Sequence, residues 1–163
     1  MAFEINTYSP SEIRLEISTY QITGFDKISV SRNSPAFTVI KGIRGANSRR
    51  RNRDSSCTVT LDIIQTALVN DVLTEILEQD LRTNSARLTL NLTDGLGSSK
   101  IVSRECFIEG YPDMVYGDNI LMRRWNLICL STDLFRVGGN AKLAGSSFSD
   151  SVSNFGNKSS NIV

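Results

Sequence analysis

The chain has no histidine among its 163 residues, and that absence removes more function classes than any residue present suggests. Without imidazole, Ser-His and Cys-His nucleophile–base pairs cannot form, and the commonest metal-ligating side chain is missing. Carboxylates are plentiful, but none stands in a context that would bury it beside a second and shift its pKa, so no catalytic acid–base pair is expected. Cysteine is scarce: Cys57, Cys106 and Cys129 lie far apart, without the close C-x-x-C pairs of a zinc site. The expectation is three small core residues kept reduced, with no metal and no cofactor. Long apolar runs are also missing. None approaches the roughly 20 residues that span a bilayer, and Met1–Asn6 lacks the basic and apolar regions of a secretory signal, so no membrane anchor is expected. Nor is there an excess of either charge: 18 Lys and Arg face 17 Asp and Glu, net +1, which gives no bulk attraction to nucleic acid or anionic membrane. An enzyme, a metalloprotein and a membrane protein are the classes set aside. The chain is expected to be made in the cytoplasm and to stay soluble until it meets its partners.

What is present is a period of two. A chain of this length supports one domain with a sizeable core, and Ile13–Ser18 alternates apolar and polar residues as a half-buried strand does. A turn at Ser18-Thr19 leads to Tyr20–Thr23, a hairpin closed off by Gly24. Ile28–Arg32 and Phe37–Ile40 are short strands. Ser56–Ile64 is the clearest, with Cys57, Val59, Leu61 and Ile63 on one face and Ser56, Thr58, Thr60 and Asp62 on the other. One helix is predicted at about residues 70–81, with Asn70 as N-cap, Asp71 at the positive helix end, and Val72, Leu73, Ile76, Leu77 and Leu81 as the apolar stripe. Strands resume at Arg87–Leu92, Lys100–Ile108 and Ile120–Leu130. In the last, Leu121, Trp125, Leu127 and Cys129 share a face, while Ile128 and Leu130 point the other way, a sign of cover on both sides. The fold class is mainly β (α+β), an antiparallel β-sandwich or partial barrel with one flanking α-helix. The domain is drawn at residues 1–137, followed by a Ser/Asn/Gly-rich extension over 138–163 that is expected to order only when pinned, as by a neighbouring subunit.

Charge is distributed unevenly along the chain. Residues 41–54, read as a pliable loop, hold Lys41, Arg44, Arg49, Arg50, Arg51 and Arg53 against Asp54 alone, a local +5. From Asp62 to Asp80 the charges are all acidic: Asp62, Asp71, Glu75, Glu78 and Asp80. Opposite blocks on one chain suit head-to-tail association, the loop of one copy meeting the helix of the next. Two other readings of the arginines are open: a solvated loop, and a nucleic-acid-binding module using Arg49, Arg50 and Arg51. No aromatic side chain is interleaved there for base stacking. Gly95–Lys100 looks like a phosphate loop but lacks the Gly-Lys-Ser/Thr order and leads into a strand, so it reads as a hairpin loop.

In order and spacing, several segments resemble the bacteriophage tail-tube family of contractile-tail type. They are Val30-Ser31-Arg32-Asn33, Phe37, Lys41–Gly45, Arg53-Asp54-Ser55-Ser56 before Thr58–Leu61, Gln65–Leu73 and the closing Trp125-Asn126-Leu127. The resemblance runs from about Tyr8 to Leu134. The arginine-rich loop and the extension after Asp133 depart from it. It implies a structural subunit of the virion tail, assembled in the host cytoplasm. Six copies would close into a ring, and rings would stack into a channel for genome DNA, which passes through the lumen without specific binding. The implied partners are further copies of the chain and sheath, baseplate and tail-terminator proteins. A related injection or secretion machine is the near alternative. In that frame the early loop (Lys41, Arg44, Arg49, Arg50, Arg51, Arg53) makes the inter-subunit or inter-ring contact, with Asp71, Glu75, Glu78 and Asp80 as acidic counterpart. The Ser56, Thr58 and Thr60 face suits a wet lumen wall.

Overall fold

A computed structural model describes residues 6–85 and 87–140. After a single helical turn at Pro10–Glu12, the strands are β1 (Ile13–Ile17), β2 (Tyr20–Ile22), β3 (Phe25–Arg32), β4 (Phe37–Lys41), β5 (Asn47–Arg51) and β6 (Cys57–Ile64). Helix α1 (Val69–Thr83) is followed by β7 (Leu88–Asp94), β8 (Lys100–Ile108), β9 (Met122–Ser131) and β10 (Leu134–Arg136). One sheet runs β2-β1-β7-β8-β9-β6-β3, with β10 added beside β8; β4 and β5 form a separate two-stranded sheet. All pairings are antiparallel.

Chain connectivity forces the large sheet to curl. β2 and β3 are the ends of the seven-strand path, yet only Thr23 and Gly24 separate them. Ile22 and Phe25 can therefore stand at most about 11 Å apart. In a flat sheet the same edges would lie about 29 Å apart. The sheet bends round into a partial barrel, leaving a cleft of about 760 Å³ lined by Ile22, Phe25, Ile28, Leu92 and Ile101 among others. The edges of β2 and β3 face each other without a ladder between them.

The concave side holds the core. β6 buries Cys57, Val59, Leu61 and Ile63, as its alternation predicts, and β9 adds Trp125, Leu127 and Cys129. Leu15, Ile17, Ile22, Leu90, Ile101, Cys106 and Ile108 complete the sheet's share, and α1 packs on them through Val69, Leu73 and Leu77. Each such side chain contributes about 1.5–3 kcal/mol of burial. The antiparallel, β-rich fold with one flanking helix is the architecture that the sequence pattern predicts.

Several local expectations are corrected. The helix starts earlier, at Val69, and its N-cap is Leu68, which makes no capping bond. Asn70 sits inside the first turn: its Nδ2 donates to the Ile64 carbonyl at 2.9 Å and the Ala67 carbonyl at 3.2 Å, and its Oδ1 accepts the Trp125 indole N–H at 3.0 Å. Tertiary bonding captures the side chain that propensity assigns to the cap. Leu81 stays 63% exposed, because the helix leaves the sheet before reaching it. Leu130 is also exposed, so none of the described residues gives β9 a second cover at that point. The three cysteines fall in one row across β6, β9 and β8. Cys106 and Cys129, with Cα atoms 4.2 Å apart, are joined in a disulfide. Only Cys57 is a free thiol, buried, with its pKa raised by that burial. Their 23-residue separation hides a register that only strand pairing reveals. The short strand β10 was not expected; it continues along β8 where β9 departs.

Candidate assembly surfaces

Residues 41–54 are not a pliable loop. The strands β4 and β5 pair through five residues each, Phe37 with Arg51 at the base and Lys41 with Asn47 at the tip. Gly45, at φ +82°, supplies the left-handed turn residue, and its N–H donates to the Gly42 carbonyl at 3.0 Å. The result is a hairpin arm. Loop composition misleads here because the arginines occupy strand positions that none of the described residues covers: every residue of both strands is exposed.

Strand alternation divides the arm's side chains. Phe37, Val39, Lys41, Arg49 and Arg51 share one face, and Thr38, Ile40, Ser48 and Arg50 share the other. The Arg49 guanidinium lies 4.2 Å over the Phe37 ring, a cation–π contact. Arg44 belongs to the turn and Arg53 to the returning segment. The triplet Arg49-Arg50-Arg51 therefore presents no single basic face, and Phe37, Val39, Ile40 and Ile43 make the arm apolar as well as basic.

The root of the arm is clamped. Asn33 N–H donates to the Ser56 carbonyl at 3.1 Å, and Asn52 N–H to the Ala36 carbonyl at 2.8 Å. Asp54 accepts from the Ser34 hydroxyl at 2.6 Å and the Ser56 N–H at 3.0 Å. Led by the Ser34 bond and aided by those from Ser56, these donors hold the Asp54 carboxyl at a pKa of about 2. Arg32 ties the same root to β9's end, donating to the Ser55 carbonyl and to the Thr132 hydroxyl. A rigid base thus carries an uncovered blade.

The acidic residues do not form one block. Asp62 lies on β6 and is taken by Arg124, Nε to Oδ1 2.9 Å. Asp71, Glu75 and Glu78 are exposed on α1, Asp80 is half-buried, and Arg82 follows in the last turn. The chain passes into α1 from Ile64, the end of β6 away from the arm.

Thr58 and Thr60 point away from the core, Ser56 just precedes β6, and all three are half-buried. Ser56 and Thr58 are hydrogen-bonded to Asn33, and Thr60 donates to Asn126 Oδ1 at 3.1 Å. With Ser31 and Ser29 opposite Thr58 and Thr60 on β3, they make a hydroxyl-rich convex surface. Two features escaped sequence reasoning. One is the arm itself, signalled only by Phe37–Ile40 before a glycine-bounded turn. The other is the exposed segment between β8 and β9, which holds Tyr111, Met114, Val115, Tyr116 and Ile120. Among the described residues no group of His, Cys, Asp or Glu could hold a metal ion, and no helix is long and apolar enough to cross a membrane.

This architecture superposes on solved chains from contractile injection machines. Solved structures that superpose on it include the PVC sheath/tube terminator of an extracellular contractile injection system, at TM-score 0.52 and 14% identity over 83% of this chain and 100% of that one. A chain of the PVC sheath-tube complex gives 0.52 at 10% identity over 83% and 93%. The anti-feeding prophage cap, a tube-terminating cap, gives 0.57 at 12% over 86% and 95%. At such identities the likeness is one of fold. In sequence, the chain is 29% identical over 155 residues to structural protein ORF10 of Pseudomonas phage KPP10, covering 88% of this chain and 89% of that protein. No family model matches. The chain is thus related in sequence to a phage structural protein and similar in fold to terminator, cap and sheath-tube chains of contractile injection machines.

Proposed function

We propose that the chain is a tube subunit of a phage contractile tail, a virion component whose part is structural and involves no chemistry of its own. Six copies close into a ring, and rings stack around a channel that delivers genome DNA. The observation that carries this reading is the arm: a rigidly rooted hairpin, apolar and basic, with every strand residue exposed. An isolated two-stranded hairpin is marginal in water, so this one needs a surface on another chain. The free edges of β2 and β3 support ring closure, because exposed edges invite pairing with a neighbour and a closed ring removes them. Lys41, Arg44, Arg49, Arg50, Arg51 and Arg53 act between subunits, and the acidic face of α1 (Asp71, Glu75, Glu78, Asp80) contributes long-range steering of their approach and not the seat itself. The Ser56, Thr58 and Thr60 surface faces the lumen, where hydroxyls stay wet and offer DNA no cationic grip. Sheath, baseplate and terminator proteins are the expected neighbours, and assembly takes place in the host cytoplasm.

A second reading follows from the superposed terminator and cap: a single ring that ends a tube rather than building it. Electron microscopy of the purified protein separates the two. A tube subunit gives hollow filaments of uniform width, a terminator gives isolated rings, and particles without a central channel would defeat both.

A further inference from the structure

The arm and the exposed segment before β9 stand at opposite ends of the same three strands. β3 ends at Arg32, opposite Cys57, which is itself opposite Cys129; the arm leaves and returns there. At the other end Ile64 pairs with Met122, and Gln65 N–H donates to the Leu121 carbonyl at 3.2 Å. The segment joining β8 to β9 is thus held about 23 Å from the arm's root, the length of β6. It is unusually apolar for a surface: Met114 and Tyr116 are 69% and 73% exposed, and Tyr111, Val115, Ile120 and Met122 are all exposed beside them. Tyrosine, methionine and arginine are the side chains that protein interfaces favour at their centres.

Its charge is opposite to the arm's. Phe37–Arg51 carries Lys41, Arg44, Arg49, Arg50 and Arg51 and no acid, whereas Glu109, Asp113 and Asp118 flank the exposed tyrosines. The nearby cations are already engaged. Arg124 is paired with Asp62, and Arg123 lies 5.3 Å over the Tyr116 ring and donates to its hydroxyl at 3.1 Å. A basic apolar arm at one end and an acidic apolar surface at the other stay exposed and do not cover each other within one chain. Between copies they form a head-to-tail contact that repeats.

We infer that Tyr111–Met122 is the seat for the arm of the next copy, with Ile43 and Val39 covering Tyr116 and Ile120 while the arginines meet Asp113 and Asp118. This deepens the tube reading and rests on it, by giving the arm a receptor other than the α1 face. A photo-crosslinking benzoylphenylalanine at position 116, in assemblies mixed from isotope-labelled and unlabelled full-length chains, tests it. The expected adduct joins position 116 to a peptide within 37–51 of a different copy. In parallel, Ile120→Ser should weaken assembly at least tenfold and Ile43→Ser by a similar factor, and the double variant should be little worse than either alone. Unchanged Trp125 fluorescence unfolding would show the variants folded. Assemblies whose adducts map to α1 or elsewhere would overturn the seat and leave the tube reading standing. A chain that never assembles would overturn both.

Discussion

Asn70 shows how one side chain can join three parts of a fold. It binds the end of β6 through the Ile64 carbonyl, the following turn through Ala67, and the only tryptophan through its indole N–H. Replacing it by alanine leaves the buried Trp125 N–H without its acceptor, which costs about 1–3 kcal/mol. Asn70→Ala should therefore lower Tm by roughly 3–10 °C, read directly by tryptophan fluorescence; an unchanged Tm would mean the bond contributes little. Asp54 has a different signature. Its carboxyl, held at about 2 by Ser34 and Ser56, lies below its ordinary value of 3.8. A depressed folded-state pKa favours the native arm root above pH 4, and that contribution is lost as pH falls through about 2. The Ser56 amide resonance should titrate with a midpoint near 2, and the step should vanish in Asp54→Asn. A midpoint near 4 would show that the clamp is not formed in solution.

At the scale of elements, the arm is the part most exposed to change and least tied to the core. Reversing Arg49, Arg50 and Arg51 to Glu touches no buried side chain, so thermal unfolding should stay within about 0.5 kcal/mol of the parent, while assembly measured by sedimentation should fall steeply and lose its salt dependence. Assembly unchanged across salt concentrations would remove the arm from the contact. The same elements show what the sequence made legible. Cys57, Val59, Leu61 and Ile63 alternate without interruption, and the burial of β6 could be read from them because the period of a strand is a local property. The partial barrel follows from the two-residue link after β2 only once the strand order is known, and strand order is set by contacts distant in sequence. The arm's outgoing strand is legible at Phe37–Ile40, but its returning strand reads as loop because Asn47–Arg51 alternates nothing apolar against anything polar: with both faces open, no burial pattern is written into it. Asn70 was assigned to a cap for a related reason, since its true partner lies 55 residues away.

For the whole molecule, exposure is a property of the lone chain. Free edges on β2 and β3, an uncovered arm at one end and the surface around Tyr116 at the other are liabilities in a monomer, and a ring that stacks removes them together. The net charge of +1 conceals this polarity, because a sum says nothing of where charges stand. The most direct test is native mass spectrometry of the purified chain across a concentration series. Copies that close into rings should pass from monomer to species in multiples of six, with few populated states between. A chain that remains monomeric at the highest concentration, or that grows through every integer without a preferred size, would contradict the account.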